Sequence, residues 1–257
     1  MRLATWNVNS LKVRLARVEE WIGYAQPDVL CLQETKLADA AFPTMAFQAL
    51  GYEVACHGEG RWNGVAIASR VGLEDAEAGF HGDAAAATEG RLLSATCAGV
   101  RVSSVYVPNG RSVGSEHFEA KLEWLRLLRA HVAATSDPEG LVAVCGDFNV
   151  APDHRDVWDA SRAHGGTHVS GAERAALDEM VAWGLVDAFR QQHSGDRLFS
   201  WWDYRAGDFH KHKGMRIDLA MVSRPLADRL TFALIDRQAR KGKLPSDHAP
   251  LLFDFDL

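Results

Sequence analysis

Asp147 and Asn149 close the stretch Leu141–Asn149, and their types and spacing are the first in the chain to suggest chemistry. Leu141 to Cys145 is an apolar run that reads as a buried strand. It ends in a carboxylate and a carboxamide two residues apart. Side chains alternate along an extended chain, so the two can project together while Phe148 faces the core. Gly146 lets the backbone turn or approach a ligand closely. Such a strand end can hold a metal ion or aim a water molecule, although Asp and Asn also populate ordinary turns.

The same arrangement recurs. Glu34 follows the near-continuous apolar strand Asp28–Gln33, and Asn7 ends the strand Arg2–Val8. Tyr106 lies at the end of Val100–Val107, with Asn109 and Arg111 beyond Pro108, which stops sheet pairing. Asp218 lies in the strand Met215–Val222. Asp247 and His248 precede a closing strand in which Leu251, Phe253, Phe255 and Leu257 alternate. If these strand ends share one end of a packed structure, three kinds of chemistry meet. Glu34 and the amide of Asn7 are oxygen ligands suited to Mg²⁺. Asp147 can align or deprotonate a water. His248, with its ring oriented by Asp218, can meet charge on a phosphoryl oxygen. Asp247 is either a ligand or a loop cap. The set is one for phosphodiester hydrolysis. No nucleophile elbow, P-loop or dinucleotide fingerprint competes with it.

The elements that must position these groups read as two rounds of strands with amphipathic helices. Asn9 or Ser10 can cap a first helix, in which Leu11, Leu15, Val18, Trp21 and Ile22 keep helical spacing and which Gly23 ends. Strands follow at Tyr52–Cys56 and Gly64–Ser69, with a turn at Arg61–Gly64. Gly72–Gly90 reads as a loop. Arg91–Cys97 and Val100–Val107 form a hairpin. Ser115–Ala134 and Gly171–Gly184 are helices, Pro152–Gly166 is irregular, and Phe232–Ile235 is a further strand. Short antiparallel-type strands between helices predict an α+β fold: two mainly antiparallel sheets packed face to face, with helices outside.

The chain has 257 residues, 47% hydrophobic and 24% charged, with a formal net charge of −6. This is a globular composition, with no apolar run that would span a membrane. None of the four cysteines forms a C-x-x-C pair, which argues against a zinc cluster and for a reducing, cytoplasmic setting. The negative total speaks only weakly against a polyanion, since Arg205–Lys213, with Lys211 and Lys213, and Arg237–Lys243 are locally basic.

From Leu3 to the last strand the chain resembles the exonuclease III type of abasic-site endonucleases, within the endonuclease/exonuclease/phosphatase superfamily. The resemblance rests on Trp6-Asn7-Val8-Asn9, Leu32-Gln33-Glu34-Thr35-Lys36, Tyr106-Val107-Pro108-Asn109-Gly110, Gly146-Asp147-Phe148-Asn149, Trp183-Gly184-Leu185-Val186-Asp187, Arg216-Ile217-Asp218-Leu219 and Pro245-Ser246-Asp247-His248-Ala249-Pro250. It implies a four-layer αββα sandwich formed by residues 1–257 as one domain. It also implies a monomer acting on double-stranded DNA with abasic sites or blocked 3′ ends. The reaction would be cleavage 5′ to the abasic site, dependent on Mg²⁺ with Mn²⁺ as a substitute, beside 3′→5′ exonuclease, 3′-phosphatase and 3′-phosphodiesterase activities. The implied catalytic residues are Tyr106, Asp147, Asn149, Asp218 and His248. The implied metal-site residues are Asn7, Glu34, Asp147, Asn149, Asp247 and His248. Asn109, Arg111, His168, Lys211 and Lys213 would meet the DNA, and Trp201, Met215 and Ile217 would line the sugar pocket. Met215 stands where relatives often carry an aromatic, and His168 where they carry a smaller residue. The alternative is a superfamily phosphatase for a small-molecule or lipid phosphate.

Overall fold

The computed structural model describes residues 1–82, 89–159, 161 and 166–257. Two mixed six-stranded sheets are each built around a parallel pair joined by a helix. In the first, β1 (Arg2–Asn7) runs beside β2 (Val29–Gln33), connected by α1 (Leu11–Ala25). Antiparallel neighbours extend it: β3 (Glu53–His57) and β4 (Val65–Ser69) on one side, β11 (Leu230–Ile235) and β12 (Leu251–Phe255) on the other. The order is β11-β12-β1-β2-β4-β3. A short α2 (Thr44–Ala49) precedes β3.

In the second sheet, β7 (Val100–Tyr106) pairs in parallel with β8 (Val142–Asp147) across α3 (Glu116–Thr135). With β5 (Glu74–Ala78), β6 (Leu92–Cys97), β9 (Leu185–Asp187) and β10 (Asp218–Ser223), the order is β5-β6-β7-β8-β10-β9. Further α-helices are α4 (Gly171–Trp183), α5 (Ala188–Gln192) and α6 (Arg224–Ala227).

Strand alternation assigns the layers. Leu3, Cys31, Ala143 and Cys145 face the inter-sheet core. Their neighbours Ala4, Leu30 and Leu32 face outward onto Val18, Trp21 and Ile22 of α1. Val142 and Val144 face outward onto Leu125 and Leu128 of α3 and Leu177 and Met180 of α4. Every core strand is buried on both faces, which explains runs of apolar residues without polar alternation. Helix, sheet, sheet and helix follow in that order. Among the described residues no helix is long and apolar enough to cross a membrane.

Several expected boundaries differ. The stretch 72–90 is not all loop, for β5 lies within it. Its sequence EDAEA is an exposed, acidic edge strand, and such edges resist sheet-to-sheet pairing. Residues 83–88 of that stretch, and 160 and 162–165 of the irregular segment, lie outside the described residues. α1 passes Gly23 and ends at Gln26, which takes the left-handed conformation (φ 51°) in place of a glycine. Ser10 occupies the cap position but makes no side-chain cap bond, because its φ is 88°. The strand after Met215 begins only at Asp218. Met215 forms isolated bridges with Val157 and Trp201 instead.

Candidate active site

The parallel pairs bring the carboxyl ends of β1 and β2, and of β7 and β8, to one side of their sheets. β10 enters antiparallel with Asp218 level with Asp147. β12 is antiparallel to β1, so the loop before it crosses the end of β1. Ser246 Oγ donates to the Asn7 carbonyl at 2.7 Å, and Trp6 Nε1 donates to the His248 carbonyl at 3.1 Å. Gly146 sits so close to β7 that a Cβ there would stand 1.9 Å from the Val105 carbonyl oxygen, and its φ is 153°. No other residue fits beside Asp147 without moving a strand.

The Asn7 amide bridges the two sheets at the site. Asn7 Nδ2 donates to Glu34 Oε1 at 2.8 Å and to Asp147 Oδ2 at 2.9 Å. Asn7 Oδ1 accepts from the Asn9 amide, so the hard-oxygen donors offered to a cation are those of Glu34 and Asp147. Glu34 holds a left-handed backbone (φ 50°), and Lys36 Nζ lies 2.9 Å from its Oε2. Glu34, Asp147 and His248 bring one ligand atom each within 4.8 Å of the others, a group that could hold a metal ion. Burial pushes the Asp147 carboxyl up to about 7; His248 pulls it down, while Asp218 and Glu34 add to the rise. Two crowded carboxylates in such a place fit a hard divalent cation, which would relieve their repulsion.

His248 Nδ1 lies 3.1 and 2.9 Å from the two oxygens of Asp218, and Nε2 lies 3.8 Å from Asp147 Oδ2. Burial opposes a charge on the ring. Asp218, then Asp147, outweigh it and lift the imidazole to about 10. With Nδ1 on Asp218 and Nε2 turned toward Asp147, the geometry suits His248 to donating to negative charge. Tyr106 also stays protonated: burial, then Glu34 and Asp147, push its hydroxyl well up, and Arg91 stacks 4.7 Å over its ring.

Asn149 is left-handed (φ 51°) and turns away from Glu34. Its amide nitrogen donates to the Val107 carbonyl, its Oδ1 accepts from Asn109 Nδ2 at 3.4 Å, and its backbone N–H holds Asp147 Oδ1 at 2.9 Å. His168 Nδ1 lies 2.6 Å from the Asn149 carbonyl. Asp247 does not touch the Glu34–Asp147 pair directly; it accepts from Asn9 Nδ2 at 3.0 Å and from Trp201 Nε1 at 3.2 Å, and Asn9 links it through Lys36 to Glu34. Burial would raise its carboxyl, but His248 and these two donors hold it below the usual range. Trp201, Met215 and Ile217 share one apolar cluster with Ala151, Val157 and Val169. Arg111 and Lys211 are exposed, and Lys213 Nζ stacks 4.5 Å over Trp158. In the second basic stretch Arg240 is buried among Trp202, Tyr204 and Phe209, so part of that charge serves the fold.

The endonuclease/exonuclease/phosphatase family pattern matches residues 4–248. The chain belongs to this family. It is 33% identical to exodeoxyribonuclease III of Haemophilus influenzae, with 99% of this chain and 100% of that protein aligned. An AP endonuclease from Archaeoglobus fulgidus superposes with a TM-score of 0.96 at 36% identity, and the 3′-5′ exonuclease NExo from Neisseria meningitidis with 0.94 at 36%; each match covers both chains fully. NExo has also been solved, described as a 3′ phosphatase, bound to product DNA hairpin.

Sequence reasoning missed four residues that shape this site. Asn9 and Lys36 line it through polar side chains in its own motifs. Lys121 and Glu173 form an ion pair, both fully buried, behind it. A signal for Lys121 was present: it lies three residues after Phe118 and four before Leu125, on the apolar face of α3, where a charge needs a buried partner.

Proposed function

We propose that the protein is a Mg²⁺-dependent nuclease of DNA repair, with Mn²⁺ able to substitute. It cleaves double-stranded DNA 5′ to abasic sites and processes 3′ ends as exonuclease, 3′-phosphatase and 3′-phosphodiesterase, acting as a monomer. The observation that carries this reading is the placement of Asp147 between Glu34, bridged through Asn7, and His248.

Asp147 is the group that takes a proton from the attacking water, and the Asn149 N–H fixes its outer oxygen. His248, oriented by Asp218, donates to the phosphoryl oxygen on which charge grows. Tyr106, kept protonated, donates to the same phosphate from the β7 side. Water adds to phosphorus, its proton passing to Asp147, and the bond from phosphorus to the 3′ oxygen breaks; the leaving oxygen takes a proton from solvent, giving a 3′-hydroxyl and a 5′-phosphate. A bound Mg²⁺ would be held by Glu34 and Asp147 with Asn7 alongside, and would polarise the phosphate. Trp201, Met215 and Ile217 offer a small apolar wall suited to a sugar without its base. Exposed Lys211 supports a polyanionic substrate.

The test uses duplexes bearing one abasic analogue, or a 3′-phosphate, with Mg²⁺ or with EDTA, and maps the product ends. Cleavage 5′ to the lesion and loss of the 3′-phosphate, both abolished by EDTA, are expected. Metal-independent turnover, or hydrolysis confined to small phosphate esters, would overturn the reading.

A further inference from the structure

We propose that Lys121 is a positioning residue of the hydrolytic site, holding Asn109 and Asn149 from behind and, through Glu173, fixing the His168 loop. The inference rests on the nuclease reading for its kinetic test.

The Lys121 side chain is fully buried in the helix layer, where a methionine would fill the same space without bringing a charge. Burying an ammonium is costly unless every donor finds a partner. Here all three do. Nζ donates to the Asn149 carbonyl at 2.6 Å, to the Asn109 carbonyl at 3.3 Å and to Glu173 Oε1. Glu173 is equally committed. Its Oε1 also accepts from the His168 N–H at 2.9 Å and Thr167 Oγ1 at 3.3 Å. Its Oε2 accepts from the Ser170 N–H at 3.0 Å and Ser170 Oγ at 2.6 Å.

The partners share one property. They are backbone groups and hydroxyls of three irregular segments that converge on the site: the end of β7, the end of β8 and the segment entering α4. Apart from Ser170, which caps α4 in a capping box with Glu173, none has a strand or helix ladder to fix it there. Asn149 (φ 51°) and His168 (φ 75°) hold left-handed conformations that an unconstrained chain of these residues seldom keeps. The Asn149 carbonyl receives Lys121 and His168 Nδ1 together, and this locates both the N–H that holds Asp147 and the amide beside Asn109. Stability alone does not call for an ion pair in an apolar layer, whereas fixing three loop segments at once does.

The experiment compares Lys121→Met, Glu173→Gln and the double variant, by melting temperature and by kcat and KM on a duplex with a 3′-phosphate. Lys121→Met alone leaves Glu173 unpaired and should melt lower. The double variant removes that unpaired charge and should recover most of the melting temperature. Its kcat should stay ten- to a hundred-fold down, with KM within about threefold of the parent. Recovery of kcat together with melting temperature would overturn the proposal and leave a purely structural pair. If the double variant does not fold, Thr167→Val, which cuts one link at a half-exposed position, should lower kcat several-fold at unchanged melting temperature; unchanged kcat would count against the proposal. If the parent turns over no DNA, the nuclease reading fails instead. A crystal structure of the double variant then decides: Asn149 and His168 should leave the left-handed region, and keeping it would refute the positioning role.

Discussion

His248 Nδ1 lies 2.9 Å from Asp218 Oδ2, with both side chains almost wholly inaccessible to solvent. The carboxylate fixes which nitrogen of the ring points at Asp147. Removal of either residue should therefore disable one shared function. His248→Ala and Asp218→Ala should each lower kcat by two orders of magnitude or more, about 3 kcal/mol of transition-state stabilisation. The double variant should be little worse than His248→Ala. Losses that multiply in the double variant would separate the two residues.

Glu34 is the carboxylate at the end of β2, paired with Lys36 and bridged to Asp147 by Asn7. Glu34→Ala should keep the fold, since the side chain lies at a strand end rather than in a core. It should lose several kcal/mol of charge stabilisation, by order of magnitude, and shift the Mg²⁺ dependence of the rate to higher concentration. An unchanged Mg²⁺ titration curve would remove Glu34 from the metal site.

Met215 is a flexible wall beside Trp201 and Ile217, where the family resemblance leads one to expect a rigid aromatic. A softer wall discriminates less between an abasic sugar and an intact 3′ nucleotide. Met215→Trp should raise the ratio of specificity constants, abasic duplex over recessed 3′ end, by about tenfold, or about 1.4 kcal/mol. A ratio that stays put or moves toward the exonuclease would shift the question to His168, seated on the Asn149 carbonyl, and to Arg111.

His131 lies far from the site, on the buried face of α3, where its ring accepts from the His81 N–H and meets Ser94. Burial pushes its imidazole down to about 4; Glu77 pulls it up, while Arg101 and His81 push the same way as burial. The unfolded chain takes up this proton near pH 6.5, and the folded chain does not until about pH 4. Stability from this group is thus complete above pH 6.5 and is lost as pH falls toward 4, by about 3 kcal/mol at most. His131→Asn, which keeps an acceptor, should flatten the acid limb of the stability curve across that window. Parallel curves for parent and variant would show that other groups set the acid limb.

Much of the site was legible from residue types alone. Apolar runs ending in Asn7, Glu34, Tyr106 and Asp147 announced strand ends with polar tips, because a two-sided buried strand tolerates a carboxylate only where it leaves the sheet. β5 was not legible, since an exposed edge strand has no buried face and no apolar period to show.

What the sequence determined by itself was the identity of the reactive groups and the strands that carry them, for both depend on local pattern. Which groups meet was decided by the tertiary structure. The Asn7 amide joins Glu34 to Asp147 only because two sheets pack face to face. Asp247 goes to Asn9 and Trp201, while its neighbour His248 goes to Asp218. Lys121 is 28 residues from Asn149 and 52 from Glu173, and only the packing of α3 against α4 makes them one cluster. Local pattern fixes which way a side chain faces from its own strand or helix. The partner across the gap is set by long-range packing, which no short stretch of sequence encodes.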